Sequence, residues 1–176
     1  MSLAADPAAR AVVHPAEAAE AAAAPLEYVG IVTRAIAFAA DAAVVQIVAI
    51  AVAGTFALIL SVLSLPDKFD GVLLVVGSVA YGLWLVGYFV VFWSATGQTP
   101  GNRLLQIRVR RAVDDTAPSA AAALLRFGGL IVAALPLFAG FLPILLDDRR
   151  RGVHDMIART VVVPAPPGLP RSVLVP

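Results

Sequence analysis

The stretch AAVVQIVAIAVAGTFALILSVLSL, residues 42–65, decides what kind of protein this is. It holds no Asp, Glu, Lys or Arg. As a helix rising 1.5 Å per residue it reaches about 36 Å, enough to cross the roughly 30 Å of hydrocarbon in a bilayer. The apolar run around it begins near Val32 and stops at Pro66-Asp67. A short polar loop follows, Asp67-Lys68-Phe69-Asp70-Gly71, and then a second charge-free run from about Val72 to Ala95. Trp84, Tyr88, Phe92 and Trp93 near its end read as an interfacial aromatic belt. Gly77, Gly82 and Gly87 offer a neighbouring helix close approach.

Composition agrees with a membrane protein. Of 176 residues 60% are hydrophobic and 14% charged, with mean hydropathy +0.89; a soluble domain is nearer 45–50% apolar and about 25% charged. A disordered chain, a basic nucleic-acid binder and an ordinary soluble enzyme are thereby excluded. The net charge of +1 implies no partner by bulk electrostatics. With no cysteine, disulfides, thiolate catalysis and Cys-ligated metals are excluded as well.

A third apolar run, about Ala120 to Leu146, is interrupted by Gly128-Gly129, Pro136, Gly140 and Pro143. Arginines flank it on both sides: Arg103, Arg108, Arg110 and Arg111 before, Arg149, Arg150 and Arg151 after. A single crossing would put one cluster outside, against the positive-inside rule. The expectation is therefore an all-α transmembrane fold with two full spans and a broken or re-entrant third segment reversing near Pro136–Gly140. A plain third span is the other reading. The N-terminus is expected in the cytoplasm and the Asp67–Gly71 loop outside.

Two short strands complete the picture. Leu105, Ile107 and Val109 alternate with Gln106, Arg108 and Arg110, and Thr160–Val163 is a β-branched run. Pairing them on the cytoplasmic side would place both arginine clusters on one side of the membrane. Residues 1–27 read as an Ala/Pro-rich tail with no secretory signal pattern, residues 28–163 as the membrane domain, and residues 164–176 as a Pro-rich tail.

The ionisable residues inside the apolar runs are the candidate site. Arg34 opens the first helix and Asp41 lies seven residues deeper. At ~100° per residue they share nearly one face, ~10 Å apart along the axis. A carboxylate in hydrocarbon costs ~2.5–3.5 kcal/mol, so Asp41 must be protonated, paired or facing water. Two readings follow: an ion, proton or polar-ligand site, or a buried salt bridge with Arg126 as the natural third group. Asp147, Asp148, Arg149, Arg150, Arg151, His154 and Asp155 form the densest ionisable cluster. The adjacent arginines argue against a metal there. Lipid-headgroup or phosphate contact, and plain topology signalling with salt bridges, both remain open. No serine or other nucleophile is placed to form a triad with His154 and Asp155. No enzyme activity, metal or cofactor is expected.

Taken in order, Arg34, Asp41, Gly97-Gln98-Thr99-Pro100-Gly101 and Arg150-Arg151-Gly152-Val153-His154-Asp155 resemble the RDD family of small prokaryotic membrane proteins. The family is named for one arginine and two aspartates, which correspond here to Arg34, Asp41 and Asp155. Two positions depart from its pattern: Asn102 stands where lysine is usual, and Arg159 where glycine is usual. The resemblance implies a multi-pass plasma-membrane protein that transports a small ion or polar solute, alone or as a subunit. The alternative it carries is a non-transporting accessory or scaffold of a larger complex, such as a lipid importer. Arg126, Asp147, Asp148, Arg150, Arg151 and His154 are supporting candidates. The expected partners are the bilayer and further membrane chains, its own copies or others, and no nucleic acid.

Overall fold

The computed structural model describes residues 28–63 and 66–165. The two tail assignments lie outside these residues, except for Pro164 and Ala165. Helix α1 spans Ile31–Leu63 and α2 spans Asp70–Thr96, joined through a 3-10 turn at Asp67–Phe69. At 33 and 27 residues, both exceed the ~20 needed to cross a bilayer. Gly97 ends α2 in the left-handed region, φ 73°, with its N–H on the Trp93 carbonyl, the usual device for stopping a helix.

The third apolar run does not form one long helix. Helix α4 covers Ala120–Ala134, about 22 Å and too short to cross. Leu137 and Phe138 both take positive φ, 50° and 64°, and reverse the chain. A 3-10 turn at Ala139–Phe141 brings Gly140 back against Ala133, and α5 follows at Pro143–Leu146. The helix is thus broken near Pro136–Gly140, where the chain turns back on itself.

Between and after these pieces lie α3 (Pro100–Leu104), β1 (Ile107–Arg111), α6 (Val153–Ala158) and β2 (Thr160–Pro164). The strands pair antiparallel, from Ile107 opposite Pro164 to Arg111 opposite Thr160. Pro164, read from the sequence as the first residue of the tail, is the last residue of β2. A proline is tolerated at that end because it removes no donor the ladder uses. The Val29 N–H donates to the Val162 carbonyl at 3.1 Å, so β2 also ties down the entry to α1.

Burial is concentrated at one end of the two spans. On α1 the buried positions are Ala37, Asp41 and Val45, and on α2 they are Tyr88, Phe89 and Trp93. Phe89 is the hub, stacking on Phe38 at 5.6 Å and meeting Trp93 at 5.0 Å and Phe127 at 5.9 Å. The chain is inverted relative to a soluble domain. Asp155, Thr160 and Thr99 are fully enclosed, while Leu137 is 92% and Val62 83% exposed. Helix α4 repeats the inversion, burying Ala123, Arg126, Gly129 and Ala133 and exposing Leu124, Leu125, Ile131 and Val132. Apolar side chains turned outward around a polar interior are stable where lipid is the solvent.

Candidate functional site

The buried charges form two separate groups, each centred on one aspartate. Asp41 projects from α1 into the turn after α2. Thr99 caps α3, with Pro100 at its first position, a combination suited to a helix start. The Thr99 hydroxyl accepts from the Asn102 N–H at 3.2 Å and donates to Asp41 Oδ2 at 2.5 Å. Asp41 Oδ1 accepts from the Gly101 N–H at 2.7 Å and from the Tyr88 hydroxyl at 2.8 Å. The carboxylate therefore has three neutral donors and, among the described residues, no arginine. Of the two readings of Asp41, the salt bridge with Arg126 does not form: Arg126 bonds to Asp155 and Thr160 instead.

Gly101 makes this contact sterically possible. A Cβ there would lie 2.1 Å from the Ala37 carbonyl oxygen and 2.8 Å from Asp41 Cγ. The backbone of the turn rests directly on α1.

Asp155, on α6, is the centre of the second group. Arg34 Nη1 donates to its Oδ2 at 2.6 Å, and Arg126 Nη1 donates to its Oδ1. Arg126 Nη1 also reaches the Thr160 hydroxyl at 2.8 Å, and its guanidinium lies 5.0 Å over the Trp93 ring. Arg34 Nε donates to the Val29 carbonyl at 3.0 Å. The Gly152 N–H donates to Asp155 Oδ2 at 3.1 Å, so the same carboxylate closes the first turn of α6. Four pieces of chain thus meet on one side chain: the starts of α1 and α6, the middle of α4, and β2.

The electrostatics follow from this crowding. Burial alone would raise the pKa of Asp155, but Arg126 and then Arg34 among its neighbours overcome it and hold it well below the usual carboxylate range. His154, with Nε2 3.5 Å from Asp155 Oδ2, is pushed the other way. Burial is the largest cause; Asp155 pulls the pKa up, Arg126 and Arg34 push it down, and it falls to about 3. His154 is neutral at pH 7.

This has a direct pH consequence. A histidine in the unfolded chain takes up a proton below about 6.5, while folded His154 resists until about 3. Between these values the unfolded state binds more protons, so stability falls as pH drops from about 6.5 towards 3. The depressed Asp155 adds a loss of the same sign at lower pH. In a His14→Gln background, melting in detergent should be flat from pH 8 to 6.5 and decline below it. The same decline after His154→Gln would remove His154 as its source.

The remaining candidates lie at the edge. Arg151 grips Asp147 with two parallel bonds, Nε–Oδ2 and Nη2–Oδ1, both 2.9 Å. That fork holds the Asp147 pKa down at about 2. Asp148, Arg149 and Arg150 are exposed. Among the described residues no cluster of three or more metal-ligating side chains is found.

Four residues at these centres were not among the sequence candidates: Tyr88, Thr99, Trp93 and Thr160. Tyr88 and Trp93 were expected in an aromatic belt, but they are 5% and 3% exposed and face inward. Thr99 carried a usable signal, because Thr-Pro is a helix-start pair. Thr160 carried none. Arg159, at φ 53°, closes α6 in the left-handed region, which accounts for glycine at this place in the resembled pattern.

No curated protein and no solved structure matches the chain. The model of the RDD family matches residues 28–159, the stretch that contains both aspartates and the elements meeting on them other than β2, which begins at Thr160. The chain belongs to the RDD family.

Proposed function

We propose that this chain is a multi-pass plasma-membrane subunit working in a larger assembly, of its own copies or with other membrane chains, that moves a small ion or polar solute. The observation that carries this reading is the bareness of the two spans beyond their buried end. From Ile50 to Ile59 and from Val72 to Leu83 the side chains are almost all exposed. A Cβ on Gly54, Gly77, Gly82 or Gly87 would meet nothing within 4 Å. Gln46 and Tyr81 bond across the spans at 3.2 Å while still exposed. Two bare helices enclose no polar path, and uncovered glycines and an amide at membrane depth are what associating helices use.

On this reading the N-terminus and both arginine clusters are cytoplasmic, and the Ala120–Leu146 hairpin enters and leaves on that side. The strand register supports it, because β1 and β2 belong to the two segments that carry the clusters. Arg34, Asp41 and Asp155 then organise the cytoplasmic end of the subunit.

The accessory or scaffold reading has its own support. Asp41 is satisfied by three neutral donors, as a structural carboxylate should be. One set of experiments separates the readings. Mild-detergent purification from native membranes should return a homo-oligomer or a fixed partner, and a lone chain would refute the assembly. In the same membranes Asp41→Asn should be scored for flux and for protein level. Lost flux at normal level makes Asp41 part of transport, whereas lost level with normal flux per molecule makes it a structural group. Single cysteines near Arg108 and Arg159 should both resist labelling from outside. Labelling of just one would overturn the topology.

A further inference from the structure

The group around Asp155 holds more positive charge than it neutralises. Arg34 and Arg126 bring two cations to one carboxylate. Arg150 adds a third: its Nη1 stands 3.2 Å from where a Cβ on Gly30 would be. The Arg150 guanidinium is exposed and has no hydrogen-bond or ion-pair partner among the described residues. Donors are in surplus too. Arg34 Nη2 and Arg126 Nε are enclosed and have no acceptor among the described residues, with the Arg34 side chain 11% and the Arg126 side chain 6% exposed. A buried guanidinium N–H without an acceptor forfeits a charge-assisted hydrogen bond.

The same place is the start of a long helix. Helix α1 begins at Ile31 with no acidic residue in its first turn. Arg34 is the first residue whose N–H is taken up, by the Gly30 carbonyl at 3.4 Å. Among the described residues the N–H groups of Ile31, Val32 and Thr33 have no acceptor, and they lie at the positive end of the helix dipole. Free helix N–H groups flanked by arginines match the geometry of a phosphate, whose several oxygens accept from many directions.

We infer that the start of α1, with Arg34 and Arg150, binds a phosphate-class anion, carried either by a lipid headgroup or by a soluble phosphate. Arg34 links the two roles: Nη1 holds Asp155, and the positive charge that Asp155 does not balance draws the anion. Arg126 stays behind it as the buried cation that keeps the excess charge in place. The site goes beyond the transport reading and holds whether or not the assembly moves a solute.

The test uses the full chain purified in mild detergent. Native mass spectrometry reads the phospholipid retained from the membrane and the exchange of added phosphatidylglycerol against phosphatidylcholine. A melting shift with inorganic phosphate, against chloride at equal ionic strength, reads the soluble form. Arg150→Gln removes an exposed side chain and leaves the Asp155 contacts intact. It should weaken binding about tenfold or more, while Arg149→Gln, one residue earlier and also exposed, should change it by less than about twofold. Retained or selectively bound anionic lipid, lost in Arg150→Gln, assigns the phosphate to a headgroup. A phosphate-dependent melting shift without bound lipid, also lost in Arg150→Gln, assigns it to a soluble ligand. Binding of neither probe, or equal loss in the two variants, overturns the proposal.

Discussion

Asp155→Ala should cost the folded chain about 3–5 kcal/mol, the range found when one partner is removed from a buried ion pair. The carboxylate is fully enclosed, and it is what allows Arg34 and Arg126 to lie close together. Without it two buried guanidiniums face each other with no counter-charge between them. The variant also loses the bond from the Gly152 N–H that closes the first turn of α6. Reversible unfolding in mixed detergent micelles measures the loss. Asp155→Leu combined with Arg126→Met should recover part of it, because an apolar pair carries no unbalanced charge. An Asp155→Ala protein within about 1 kcal/mol of wild type would show that the arginines find solvent or lipid instead.

Gly101→Ala is the second large effect, and it acts through the backbone. The new methyl would sit 2.1 Å from the Ala37 carbonyl oxygen, so α1 and the turn must separate. Overpacking of this kind costs about 1–3 kcal/mol, occasionally more. The separation also pulls Asp41 away from the Gly101 N–H and the Thr99 hydroxyl, at about 1–3 kcal/mol for a buried group left unpaired. The expected sum is about 3 kcal/mol or more, read by the same unfolding assay. Removing the aspartate as well, in Asp41→Ala with Gly101→Ala, should bring no rescue, because the Ala37 carbonyl remains in the way. Full rescue by that double change would mean that the clash lies with the Asp41 side chain alone.

Local features were readable before the fold was seen. The spans Ile31–Leu63 and Asp70–Thr96 follow from the spacing of charges. The reversal after Ala134 follows from Pro136 and Gly140, and the strand pair from alternation at Ile107–Arg111 and β-branching at Thr160–Val163. Each is set by residues within one element. The partners of the buried charges are not. Arg34 meets Asp155 across 121 positions, and that meeting depends on where the hairpin turns and how α4 is rotated. Asp41 and Arg126 could be matched from sequence only by both lying near a membrane boundary, a criterion that Arg34 and Asp155 meet as well. The inward turn of Tyr88 and Trp93 was hidden for a related reason. Helix α2 is apolar on every side, so no face of it is marked for the core.

The place of β2 in the chain governs when the structure can close. Thr160–Pro164 supplies the Thr160 hydroxyl to Arg126, completes the ladder with β1 and holds Val29 at the mouth of α1. It is also made after everything it joins. During synthesis both long helices are complete before Asp155, the partner of Arg34 and Arg126, has been made. The helices and the end that closes over them are therefore completed at different times. The closing begins when α6 and β2 arrive. A chain that stops short of Thr160 has both long helices and an open end, without the hydroxyl, the ladder and the anchor for Val29 that the finished protein uses.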